Sequence, residues 1–113
     1  MGSQPLVLAE SADGEAAVRL RLRVPSTLMQ FEGHFPGSPI LPGVTQVDWA
    51  VRLASARLPV SGRFSALAGI KFMHVIGPGA EVDLDLHWTP GALGFRYTRA
   101  ERVCSQGRVL FTP

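Results

Sequence analysis

The chain has 113 residues, enough for one hydrophobic core and too few for a second independent one, so it reads as a single domain over 1–113. A hydrophobic share of 46%, a charged share of 18% and a formal charge of +2 fit a globular protein, and no apolar run approaches the roughly 20 residues needed to span a bilayer. The lone Cys104 excludes an internal disulfide and the N-terminus carries no secretory pattern, so we expect a cytoplasmic protein without membrane contact, and the few charges suggest apolar surface covered by another subunit.

Met1 to Pro5 is expected to fray. From Glu15 to Val24 the chain alternates, with Val18, Leu20, Leu22 and Val24 on one face and Arg19, Arg21 and Arg23 on the other. The arginines read as the wet face of a strand and not as a nucleic-acid footprint, because the remaining basic residues are dispersed. A loop dense in glycine and proline follows from Gly33 to Gly43. Val44 to Leu58 is free of both and predicts the one helix, with Val44, Val47, Val51, Ala54 and Leu58 as its apolar stripe, widened by Trp49 and Ala50. Asp48, Arg52 and Ser55 form its polar row. Strands are expected over Arg63 to Val75, Glu81 to Trp88, Gly94 to Val103 and Arg108 to Phe111, with turns at Gly77-Pro78-Gly79, Pro90-Gly91 and Ser105-Gln106-Gly107. Glu81, Asp83 and Asp85 face away from Val82, Leu84 and Leu86, so the acidic row can lie opposite the arginine row across the sheet. This order predicts an α+β domain in which an antiparallel sheet wraps one helix.

The loop holds the chemistry. Three prolines and two glycines between Pro36 and Gly43 restrict the backbone without building a helix or a ladder. At its end Gly43 enters the helix without a side chain, so a ligand oxygen can approach the first unpaired N–H groups and the positive end of the helix dipole. Gly43 and Val44 are therefore candidate donors to a carbonyl that acquires negative charge; the plainer reading of Gly43 is a tight helix entry.

The run His34-Phe35-Pro36-Gly37, then Pro39, Pro42-Gly43-Val44 and Asp48, resembles the active-site signature of the β-hydroxyacyl-acyl carrier protein dehydratases. The likeness extends to the order of elements, including a Lys71-Phe72 strand and the Gly77-Pro78-Gly79 turn. It implies a hotdog fold and a homodimer, or a higher oligomer, in which histidine and acid meet across the subunit interface. It also implies His34 as the catalytic histidine and Asp48, fourteen residues on, as the catalytic acid. A neutral imidazole can take an α-proton from a 3-hydroxyacyl thioester, and a carboxylic acid, or a water it holds, can protonate the departing hydroxide. The expected product is a trans-2-enoyl thioester, on acyl carrier protein in the first place and coenzyme A as the alternative, in fatty-acid or polyene-type biosynthesis. The run Leu41-Pro42-Gly43-Val44 leading to Gln46, Asp48 and Trp49-Ala50 looks most like the dehydratases of aryl-polyene pathways.

No cofactor is expected, and no metal, since His74, His87 and Cys104 match no zinc spacing. Phe35, Trp49, Phe72 and Met73 are candidates to line an acyl pocket, or ordinary core. Many members of the family carry glutamine where this chain has Arg52. Either Arg52 turns outward, the reading favoured here, or Asp48 serves as a carboxylate that positions water. The rival functions are a hotdog thioesterase and a non-catalytic acyl-binding subunit.

Overall fold

The computed structural model describes residues 4–26 and 40–113. Its elements are β1 (Leu6–Ala12), β2 (Ala17–Arg23), α1 (Gly43–Ser55), β3 (Arg63–Phe72), β4 (Glu81–Thr89), β5 (Ala92–Arg99) and β6 (Arg102–Thr112). The strands form one antiparallel sheet in the order β1-β2-β4-β5-β6-β3, and with α1, the one helix among the described residues, it is a hotdog fold.

Alternation decides which strands face the core. Val18, Leu20 and Leu22 of β2, Val82, Leu84, Leu86 and Trp88 of β4, and Leu93, Phe95 and Tyr97 of β5 are buried together with Trp49, Ala50 and Ala54 of α1. The outer face of β2 and β4 is an ion-pair ladder. Arg19 Nε donates to Asp85 at 2.7 Å, Arg21 Nε to Asp83 at 2.8 Å and Arg23 to Glu81 at 2.8 Å, each pair directly opposite in register. The arginine series is thus matched by acids of its own chain.

Three expectations need correction. β1 was not anticipated: Leu6-Val7-Leu8-Ala9 has no period of two, all seven of its residues are exposed, and only pairing with β2 makes it a strand. The helix stripe is rotated, because Val44 lies exposed while Thr45, Gln46, Trp49, Ala50 and Ala54 are buried. Gln46, Trp49, Ala50 and Ala54 share one row at helical spacing, and the valines flank it. Finally, Ser105-Gln106-Gly107 is not a turn but the middle of β6.

The actual reversal is Ala100-Glu101, with φ of 48° and 67°. Two positive φ values are what a two-residue type I′ hairpin demands, and neither residue is the asparagine or glycine that would announce it. Just beyond, Thr98 pairs with Val103 but Tyr97 pairs with Ser105, so Cys104 is an extra residue, a bulge. It leaves Cys104 and Ser105 both buried in succession. Burial pushes the Cys104 thiol above its ordinary pKa, against the opposing pull of Arg99, which suits a packed and unreactive sulfur. Replacing the strained pair by Ala100→Asn with Glu101→Gly is expected to stabilise the protein by about 1 kcal/mol, seen as a higher urea midpoint at unchanged slope. A lowered midpoint would contradict the hairpin geometry.

Candidate active site

The helix begins without a side-chain cap. Pro42 stands at the N-cap with φ −61° and ψ 148°, and its carbonyl accepts the Thr45 and Gln46 N–H groups, both at 3.1 Å. Among the described residues, the N–H groups of Gly43 and Val44 meet no acceptor, as the first positions of a helix leave them. No acid occupies the first turn, so the positive end of the dipole is uncompensated by α1 itself.

These donors border an apolar cleft of about 310 Å³ lined by Gly43, Val44, Val47, Phe64, Leu67, Ile70 and Phe72. Phe64 and Val44 are among its most open walls, exposed to 63% and 76%. A smaller hollow of about 150 Å³ lies on the other side of Phe72, between Gly43, Gln46, Met73, His74 and Val75. The Phe72 ring divides the two by resting on the helix end. A Cβ on Gly43 would stand only 2.5 Å from Phe72 Cζ, so here the lack of a side chain is what allows the ring its seat.

Asp48 lies one turn into the helix, on its exposed row. Arg52 Nε donates to both of its carboxylate oxygens, at 3.0 and 2.9 Å, and the two side chains are 52% and 65% exposed. The expectation that Arg52 turns outward is therefore corrected: with few acids on this face, the i,i+4 carboxylate is the partner in reach. Asp48 also acts on its surroundings. Tyr97, fully buried, has its hydroxyl pKa pushed far up by burial and, second, by the Asp48 charge, so it remains a neutral donor. That donor is used at 2.7 Å on the Gln46 carbonyl.

Of the other predicted residues, Phe72 and Met73 border the hollows. Trp49 does not: it is 1% exposed, inside the core beneath the sheet, because it falls on the buried row of the helix. His34 and Phe35 lie outside the described residues. Sequence reasoning missed Phe64, Leu67 and Ile70 as cleft walls. Their signal was a strand with apolar residues on both faces, which at a sheet edge points to a covered outer surface. It also missed Gln46 and Ser105, which meet in the interior at 2.6 Å. Among the described residues no three potential metal ligands come together.

A family model described as ApeI-like, ApeI dehydratase, matches residues 10–108. The chain is 38% identical over 68 residues to the 3-hydroxyacyl-[acyl-carrier-protein] dehydratase FabZ of Novosphingobium aromaticivorans, covering 52% of this chain and 43% of that one. The chain spans about half the length of the curated relatives it matches. It superimposes with a TM-score of 0.90 on a chain of the dehydratase heterocomplex ApeI:P from Xenorhabdus doucetiae, at 30% identity, covering 97% of this chain and 99% of that one. An uncharacterized protein from Erwinia carotovora subsp. atroseptica gives a TM-score of 0.85 at 35% identity, with 96% of each chain covered.

The packing at the helix end is open to test. In Gly43→Ala the Phe72 ring must leave its seat, while the better helix propensity of alanine, roughly 1 kcal/mol, offsets the lost contact. The thermal midpoint should then change little and the Phe72 ring resonances should shift; unshifted resonances would contradict the close approach.

Proposed function

The chain belongs to the ApeI-like dehydratase family, and from that premise we propose that it eliminates water from a 3-hydroxyacyl thioester to give the trans-2-enoyl thioester, acting as one hotdog domain over 1–113. The observation that supports the reading is the start of α1, which has no side-chain cap and where the Gly43 and Val44 N–H groups, without an acceptor among the described residues, border an apolar cleft. A thioester needs both: donors for its carbonyl and an apolar wall for its chain.

In the reaction, His34 takes a proton from Cα, and the electron pair moves onto the thioester oxygen. The Gly43 and Val44 N–H groups receive the charge that builds there, an effect worth about 2.7–4 kcal/mol for one such donor. The pair then returns to form the Cα=Cβ bond as the Cβ–O bond breaks, and the hydroxide leaves as water with the proton that His34 took from Cα, relayed through an ordered water, which returns His34 to its neutral form. Arg52 donates to both Asp48 oxygens, and this geometry supports Asp48 as the acceptor that orients a water for this proton transfer. His34 is assigned by its motif, and Asp48 by motif and position.

The acyl group rides on acyl carrier protein, as the names of the FabZ relatives support, within fatty-acid or polyene-type biosynthesis in the cytoplasm. The protein acts as a homodimer or a higher oligomer. β3 is an edge strand, and Phe64, Leu67 and Phe72 upon it are exposed beside Val44, an apolar surface suited to a second copy. In that assembly His34 of one subunit serves the Asp48 of the other. No helix among the described residues is long and apolar enough to cross a membrane.

Shared sites make a quantitative prediction. His34→Ala and Asp48→Asn should each abolish enoyl formation. Mixing the two inactive proteins through subunit exchange should restore about a quarter of wild-type activity, because half of randomly mixed dimers carry one intact site of two. No recovery despite confirmed exchange would mean that histidine and acid act within one subunit.

A further inference from the structure

Gln46 is a polar residue on the buried row of α1, only 4% exposed, where a leucine would fill the space without polar atoms to satisfy. Its amide is fully engaged in direction. The Leu41 carbonyl can only accept, so the Gln46 Nε2 faces it at 3.1 Å, and Oε1 is left to accept from the Ser105 hydroxyl at 2.6 Å. Ser105 is 1% exposed and sits on β6 directly opposite both Tyr97 of β5 and Phe72 of β3. It reaches inward because the Cys104 bulge places two successive residues of β6 inside. The Gln46 main chain is held as well, by the Tyr97 hydroxyl on its carbonyl.

The far end of this link is Leu41, whose own N–H donates to the Ile76 carbonyl at 2.7 Å. The Leu41 residue is thus clamped on both sides. Only Pro42 separates it from Gly43, and the proline ring fixes φ there at −61°. Little slack remains between the clamp and the first helical N–H groups. We propose that Gln46 is a positioning residue: by tying the Leu41 carbonyl to the Ser105 hydroxyl, it fixes where the Gly43 and Val44 N–H groups point. This rests on the dehydratase reading for its catalytic consequence and on geometry alone for its structural one.

The test compares wild type, Gln46→Leu, Ser105→Ala and the double variant on a 3-hydroxyacyl-pantetheine thioester, alongside the amide resonances of Gly43 and Val44. Because misplacement by about 1 Å can cost roughly 100-fold, Gln46→Leu should lower kcat about 10- to 100-fold with KM changed less than about threefold. The double variant should be no worse than Gln46→Leu alone, since both act through one link. The Gly43 and Val44 resonances should move in each variant. Should Gln46→Leu fail to fold, the smaller change Ser105→Ala carries the same test. A folded Gln46→Leu protein with wild-type kcat, or unmoved Gly43 and Val44 resonances, would overturn the proposal. A wild type without turnover would count against the dehydratase reading instead, and the resonances would then decide the positioning by themselves.

Discussion

Among the described residues one helix, α1, lies against the inner face of a six-stranded sheet, and it is too narrow to cover it. Six strands spaced by about 4.8 Å span about 24 Å, whereas a helix with its side chains is about 10–12 Å wide. The helix therefore seals the middle of the sheet, where β2, β4 and β5 alternate between buried and exposed residues, and leaves the margins short of cover. β1 at one edge is exposed throughout, and β3 at the other keeps large apolar side chains open to solvent.

The candidate site lies at one of these margins. The N-terminal turn of α1 and the apolar side of β3 meet there, so the same shortage of cover leaves both a cleft and an exposed apolar surface. The absence of a capping side chain at Pro42 is consistent with this placement. A cap would satisfy the first N–H groups of the helix, and a carbonyl-binding site needs them free. The helix start is tied to the interior instead by the buried hydrogen bonds that run from Ser105 and Tyr97 through Gln46 to Leu41. The polar groups in the interior thus lie against the part of the helix that must be held most accurately.

Much of this was legible in the sequence wherever side chains alternate or carry a motif. β2 and β4 were readable because Val18-Leu20-Leu22 and Val82-Leu84-Leu86 leave only charged residues for the other face, and the arginine–acid ladder followed from the two patterns. The helix was readable because a run free of glycine and proline carries apolar residues at helical spacing, although its buried row proved rotated. What stayed hidden depends on pairing between distant segments. β1 has no period of its own, the Ala100-Glu101 hairpin holds its positive φ values without glycine or asparagine, and the Cys104 bulge reverses which residues of β6 face inward. Trp49 looked equally suited to a pocket or a core until the rotation of the helix was known. Arg52 was visible as a neighbour of Asp48, but not the direction its guanidinium takes.

Which bond of the thioester substrate breaks separates a dehydratase from a thioesterase. The most direct measurement incubates the wild-type protein with a 3-hydroxyacyl thioester of acyl carrier protein and follows enoyl absorbance and free thiol in the same sample. A dehydratase gives enoyl absorbance without thiol, and the reverse reaction from the enoyl thioester approaches the same ratio of products. Thiol release without enoyl absorbance would make the cleft a hydrolytic site, and neither signal, with acyl carrier protein still bound, would make the chain a binding subunit that has kept its loop.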